Sequence, residues 1–214
     1  MLRLYYADTS FIKEQKMFEQ LMEQVNEQRR RKVLRCKNEK DKLCSLLAGV
    51  LLRRGLEDLG LDYSQLVFDV TPEKKPILQS YPQVFFSLSH SNNRAVCLLS
   101  DEQIGVDVES RCRRLLGEDA GKRRSAVAKR CFTKQEYDSF LHAEGIEQEE
   151  LFLKYWTRKE AFSKAVGKGL GMDFSKIQEP EEKFLSNWMD EEYYLSIYVE
   201  DGSKRKELEI CMMN

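Results

Sequence analysis

The sequence predicts an α+β protein built from two similar halves, residues 1–102 and 103–214. Three observations carry this. The chain has 214 residues, which is one ordinary domain or two small ones pressed together. Short apolar runs of strand type recur in both halves. Each half also holds one long stretch of helical apolar spacing that ends at glycine.

In order, Leu2 to Tyr6 reads as a strand and Met17 to Val25 as a helix. Asn26 to Lys42 is a basic segment with eight Lys or Arg against three acids. Leu43, Leu46, Leu47, Val50, Leu51 and Leu59 recur at helical spacing, with Gly60 as the stop. Leu66 to Phe68 reads as a strand, and Pro72 to Pro76 as the turn after it. Val84 to Phe86 and Ala95 to Leu99 read as strands joined by a polar turn, Ser89 to Asn93. Ile104 to Glu109 is a further strand. The second half follows with a basic stretch, a helix from Leu151 to Val166, the glycine-rich Gly167 to Gly171, and strands at Tyr193 to Val199 and Leu208 to Cys211.

Composition narrows the function. The 35 Lys plus Arg balance 36 Asp plus Glu, a formal net charge of −1, which argues against coating nucleic acid by bulk charge. No run approaches the roughly 18 apolar residues of a membrane span, and no basic-then-apolar leader opens the chain. Cys36, Cys44, Cys97, Cys112, Cys131 and Cys211 are scattered without a C-x-x-C pair, so reduced thiols and a cytoplasmic location are expected.

Three motifs carry chemistry. Asp107 and Glu109 lie two apart on a strand and share a face. Paired carboxylates repel unless a positive group lies between them, and a hard divalent ion with oxygen ligands meets that need. Taken alone, D-x-E is also an ordinary strand end. Trp156, Glu160 and Lys164 fall at i, i+4 and i+8 on one side of a helix, a surface Glu–Lys pair unless Trp156 makes the strip half-buried. The run Ser89-His90-Ser91, near Lys74 and Lys75, offers several donors to a phosphate. There is no G-x-S-x-G elbow, phosphate-binding Walker loop or dinucleotide G-x-G-x-x-G.

The ordered set is more specific than its parts. Ser89-His90-Ser91, then Gly105-Val106-Asp107-Val108-Glu109, then Trp156-Thr157-Arg158-Lys159-Glu160-Ala161 running on to Gly167-Lys168-Gly169-Leu170, resembles the 4′-phosphopantetheinyl transferase superfamily. The likeness is to its monomeric two-subdomain type, which activates peptide and polyketide synthetases. Lys75-Pro76 resembles that family's G-K-P turn, and Arg53 and Arg54 close an L-L-R-R like that of its N-terminal helix.

The resemblance implies two α+β subdomains in pseudo-twofold arrangement with the active site between them. It implies magnesium-dependent transfer of the phosphopantetheine arm of coenzyme A to a serine of an apo acyl or peptidyl carrier protein, releasing adenosine 3′,5′-bisphosphate. Asp107, Glu109 and Glu160 would hold Mg2+. Glu160 would be the general base, with Lys164 and His90 assisting. Arg31, Lys42, Lys75, Ser89, His90 and Lys164 would bind coenzyme A. No nucleic-acid or membrane partner is implied, and a monomer is. Departures are Ser87 where the family has Asn, Gln28 where Lys is common, and Cys44 where Arg is common, with Lys42 as its stand-in. Two alternatives stay open: another magnesium-dependent phosphotransferase or nuclease, and a nucleic-acid binder using basic runs such as Arg111 to Arg130.

Overall fold

The computed structural model describes residues 1–111, 118–203 and 208–213; Cys112, Arg113 and Arg114 lie outside them. The first half runs β1 (Leu2–Asp8), α1 (Gln15–Glu23), α2 (Glu27–Arg35), α3 (Glu39–Glu57), β2 (Phe68–Val70), β3 (Pro76–Leu78), β4 (Phe85–Ser91) and β5 (Arg94–Ser100). The second runs β6 (Ile104–Ser110), α4 (Glu118–Cys131), α5 (Lys134–His142), α6 (Gly145–Val166), β7 (Phe184–Trp188), β8 (Tyr193–Val199) and β9 (Leu208–Met212).

Two sheets and two long helices make the frame. One sheet has the order β4-β5-β1-β9, the other β6-β8-β7, and β2 and β3 form a separate hairpin. On one face of the first sheet, Tyr5, Cys97 and Leu99 pack with Leu47, Leu51 and Leu56 of α3. On its other face, Leu2, Leu4, Val96 and Leu98 meet Ile104, Val106, Val108 and Ile197 of the second sheet. Ala161 and Ala165 of α6 then pack with Phe184 and Tyr198 of that second sheet. The layers are therefore helix, sheet, sheet, helix. The mixed α+β class expected from the sequence is what the chain forms.

The two sheets are spliced at their edges by hydroxyl groups. β6 pairs only with β8, so alternate β6 amides face away from the sheet. Val106, Val108 and Ser110 donate these amides to the hydroxyl oxygens of Ser87, Ser89 and Ser91, at 3.0, 3.4 and 2.9 Å. This corrects the expected turn from Ser89 to Asn93. β4 continues to Ser91, because every second hydroxyl pairs with a backbone 19 residues further on, and the turn shrinks to Asn92-Asn93. Asn92 takes the left-handed conformation there, φ 53°, which asparagine tolerates.

The second half also gives a strand to the first. β9 pairs in parallel with β1, placing the end of the chain in the first half's sheet. The sequence pattern does not reveal α2, β3, α5 or β7, although Thr133 and Glu136 form a reciprocal capping box that starts α5. It also starts α6 six residues late, at Leu151 rather than Gly145. The five described cysteines are all free. Among the described residues no helix is long and apolar enough to cross a membrane.

Candidate active site

Strand parity settles which way the carboxylates of β6 point. Val106 and Val108 are in the core between the sheets, so Asp107 and Glu109 project from the opposite face, toward α6. Asp107 is 5% exposed. Its Oδ1 accepts from Ser89 Oγ at 2.7 Å and from Lys164 Nζ at 2.7 Å. Its Oδ2 is buried without a hydrogen-bond partner among the described residues. Ser91 Oγ donates to Glu109 Oε2 at 2.8 Å. The ladder that joins the sheets thus also aims both carboxylates.

Gly105 lets α6 come close enough to meet them. A Cβ built there would lie 1.8 Å from the Ala161 carbonyl oxygen and 2.8 Å from the Ala165 nitrogen. Helix backbone therefore rests directly on strand backbone. From this contact Lys164 reaches Asp107, Ser89 Oγ at 2.8 Å and the Val106 carbonyl at 3.1 Å. Glu160, one turn earlier, is pushed up to about 7. Burial is the main cause and the charges of Asp107 and Glu109 add to it, while Lys164 opposes them. Trp156, one turn earlier still, is half-buried and stacks on Phe152 at 6.5 Å. The strip Trp156–Glu160–Lys164 is thus a lining of the site rather than a solvated face.

Beyond Lys164 opens a cleft of ≈ 200 Å³ whose wall carries five cations: Arg29, Lys32, Lys74, Lys75 and Lys164. Phe86, Ser87 and Leu88 of β4 and Gly167 and Gly169 after α6 complete it, with Glu73 at the edge. Lys75 donates to the Ala165 carbonyl at 2.5 Å, and burial pushes it down to about 8. Gly167 ends α6 in the left-handed conformation, φ 80°, and a Cβ there would lie 3.2 Å from Lys75 Cδ. Burial likewise holds Arg29 below the usual guanidinium range. A second cavity of ≈ 670 Å³ adjoins the first, sharing Arg29, Lys32 and Lys74 and adding Tyr63 and Phe68. Several converging cations beside buried carboxylates suit a ligand with more than one phosphate.

Comparison with known proteins agrees with this chemistry. A family model described as the 4′-phosphopantetheinyl transferase superfamily matches residues 103–211, just over half of the chain. A second, for the N-terminal part of 4′-phosphopantetheinyl transferase, matches residues 12–103. The chain belongs to the 4′-phosphopantetheinyl transferase superfamily. Among its relatives, 4′-phosphopantetheinyl transferase Sfp of Bacillus subtilis is 31% identical over 155 residues, 72% of this chain and 65% of that one. The 4′-phosphopantetheinyl transferase HetI of Nostoc is 34% identical over 127 residues, 58% of this chain and 49% of that one. The mouse L-aminoadipate-semialdehyde dehydrogenase-phosphopantetheinyl transferase is 29% identical over 170 residues, 75% and 54%. The matched part is less than two thirds of each of these three relatives.

Within this superfamily member, the structure gathers Ser89, Asp107, Glu109, Glu160 and Lys164 at one place and Lys75 beside them. It does not gather all the expected residues. Ser89 and His90 are neighbours on a strand and face opposite ways, so His90 shares its face with Phe86 and Leu88 of the cleft wall. The Ser89 hydroxyl is fully used, donating to Asp107 and accepting from Val108 and Lys164. Arg31 pairs with Glu27 and reaches only the outer cavity. Lys42 pairs with Glu39 at 3.6 Å and lies over the Phe18 ring. Cys44, two residues on, points elsewhere, to the Asn92 carbonyl. Arg29 and Lys32 were missed as site residues. Their i,i+3 spacing in the basic segment was the available signal.

A divalent ion fits the donors present. The acceptor set is carboxylate oxygen, as magnesium requires, and Asp107 Oδ2 is a buried acceptor without a donor. Among the described residues no three His, Cys, Asp or Glu side chains are already gathered into a metal cluster. Lys164 is the positive group that stands against Asp107 here.

Proposed function

We propose that this chain transfers the 4′-phosphopantetheine arm of coenzyme A to a serine of an apo acyl or peptidyl carrier protein, releasing adenosine 3′,5′-bisphosphate. The observation that carries the proposal is Glu160. It is a half-buried carboxyl pushed up to about 7 by burial and by Asp107 and Glu109, one helical turn from Lys164, which lines the cation-rich cleft. A group poised near neutral pH is suited to general-base work. Membership of the superfamily supports a serine hydroxyl as the group that gives up this proton.

Phosphoryl transfer depends on placement and charge neutralisation more than on covalent help. In this reading Lys75, Lys164, Arg29 and Lys32 bind the phosphates of coenzyme A, with Arg31, Lys42, Ser89 and His90 as further candidates. Glu160 accepts the serine proton as the serine oxygen forms its bond to the pantetheine-side phosphorus. The bond from that phosphorus to the bridging oxygen breaks, and Lys164 neutralises the phosphate that leaves. Asp107, Glu109 and Glu160 would hold Mg2+, which supplies further charge neutralisation at the pyrophosphate when bound. The near balance of 35 basic and 36 acidic side chains supports a small-molecule and protein clientele rather than nucleic acid. A cytoplasmic monomer without a membrane partner belongs to the same reading.

The test is the mass of a purified apo carrier protein after incubation with this protein, magnesium and coenzyme A. Gain of one phosphopantetheine mass is expected. No gain with any of several acyl and peptidyl carrier proteins, using folded enzyme, overturns the proposal.

A further inference from the structure

Among the described residues, Lys159 is the most deeply buried cation that the chemistry above leaves unused, with 2% exposure. It precedes Glu160 on α6, and successive helix residues are turned by about 100°. While Glu160 faces Asp107, the Lys159 ammonium points into the helical layer behind. All three of its protons are used there. They go to Glu136 Oε2 at 2.8 Å, to the Phe174 carbonyl at 3.0 Å and to the Ile177 carbonyl at 3.3 Å. Glu136 Oε2 also accepts the Thr133 amide at 2.7 Å as part of the α5 capping box. One ammonium therefore ties α6 to the start of α5 and to the segment that follows α6.

That segment forms the far wall of the strip that carries Glu160. The Phe174 ring lies 5.9 Å from Trp156. Trp156, Phe174, Met172, Val127 and Cys131 line a groove of ≈ 680 Å³. The phosphate cleft opens at the Lys164 end of the strip and this groove at the Trp156 end, with Glu160 between. In-line displacement brings the acceptor oxygen from the side opposite the leaving phosphate.

We propose that Lys159 is a positioning residue that fixes the Phe174–Trp156 wall, and thereby the approach of the acceptor protein to Glu160, without taking part in coenzyme binding. The proposal rests on the transferase reading above. Removing the ammonium takes the charged donor from Glu136 and from the Phe174 and Ile177 carbonyls, which link α5 and the following segment to α6, so the wall loosens while the phosphate cleft keeps its cations.

The experiment compares the parent with Lys159→Met and Lys159→Arg, measuring coenzyme A affinity by calorimetry and steady-state kinetics with an apo carrier protein. Lys159→Met should raise the carrier KM by about tenfold or more while the coenzyme Kd stays within about twofold, and Lys159→Arg should restore most of the loss. A parallel loss of coenzyme affinity, parental kinetics in Lys159→Met, or an arginine variant no better than the methionine one overturns the proposal. If Lys159→Met does not fold, Glu136→Gln removes the charge of the clamp's partner and must give the same split. A second readout keeps the two readings apart. In a Trp188→Phe background without coenzyme or carrier, Lys159→Met should expose Trp156 to acrylamide quenching. If the parent transfers nothing, the transferase reading fails, while unchanged quenching overturns the clamp by itself.

Discussion

Lys164 Nζ stands 2.7 Å from Asp107 Oδ1, so the helix cation neutralises the strand carboxylate before any ligand is present. Two carboxylates on one strand face repel unless a positive group lies between them. The lysine changes that sum. Asp107 is held by an ion pair and a serine hydroxyl, and only its second oxygen lacks a donor.

Lys164→Ala should therefore destabilise the protein by about 1–3 kcal/mol, because a buried carboxylate loses its charged partner. Millimolar magnesium should recover part of that loss, since a cation can then take the lysine's place at Asp107. Thermal denaturation with and without magnesium checks both halves. Coenzyme A binding should weaken in the same variant through the lost phosphate contact. A Tm insensitive to magnesium in Lys164→Ala would show that Asp107 does not accept the ion.

Gly105 is required by contact rather than by conformation. A Cβ 1.8 Å from the Ala161 carbonyl oxygen must push α6 off β6, because the atoms it would meet belong to the helix backbone. Gly105→Ala should destabilise by about 1–3 kcal/mol, the range for overpacking. It should also remove transfer activity, since Glu160 and Lys164 move with the helix. Denaturant unfolding and carrier-protein mass together test this. A variant of parental stability and rate would mean that the helix does not rest on the strand there.

Lys75 gives coenzyme binding a pH dependence. Its ammonium is pushed down to about 8 by burial, so it loses its proton in the folded protein well before it would in an unfolded chain. Between about 8 and the ordinary lysine range near 10.5 the unfolded chain holds more protons, and this group makes stability rise with pH. Phosphate binding runs the other way, because the neutral amine no longer attracts an anion. Coenzyme A affinity should fall between pH 7 and 9, and Lys75→Arg should flatten that fall. Calorimetry across the range decides it, and a parental slope in Lys75→Arg counts against Lys75 as the cause.

Much of the fold and part of the site were legible because they depend on local period. A strand alternates by two and a helix returns after four, so Asp107 with Glu109, and Trp156 with Glu160 and Lys164, could be set on common faces from spacing alone. What stayed hidden depends on distant neighbours. Ser89 to Ser91 carries turn-forming residues, yet its alternate hydroxyls serve amides 19 residues later. Arg29 belongs to an evident basic run, but its burial arises from packing its Cγ against Gly49 on the next helix. The return of β9 to β1 leaves no mark in either strand.

Glu160 connects stability to chemistry. Its carboxyl is raised to about 7 from an ordinary value of 4.5, chiefly by burial and then by Asp107 and Glu109. A raised carboxyl binds its proton more tightly folded than unfolded. Its contribution to stability is therefore present near pH 4.5 and is lost as pH climbs through 7. Glu160→Gln keeps the shape and one oxygen but cannot ionise, so in metal-free buffer at pH 8 it should be more stable than the parent by about 1–3 kcal/mol. At pH 4, below the ordinary value of 4.5, the two should nearly coincide. The same variant loses the proton acceptor, and general-base loss typically costs about 10²–10⁴-fold in rate. Single-turnover transfer should thus fall steeply while coenzyme A binding in magnesium weakens far less. Paired denaturation curves at the two pH values and a single-turnover series test one residue in two ways. Parental rate at saturation combined with poor binding would make Glu160 a ligand only, and the proton acceptor would have to be sought at His90.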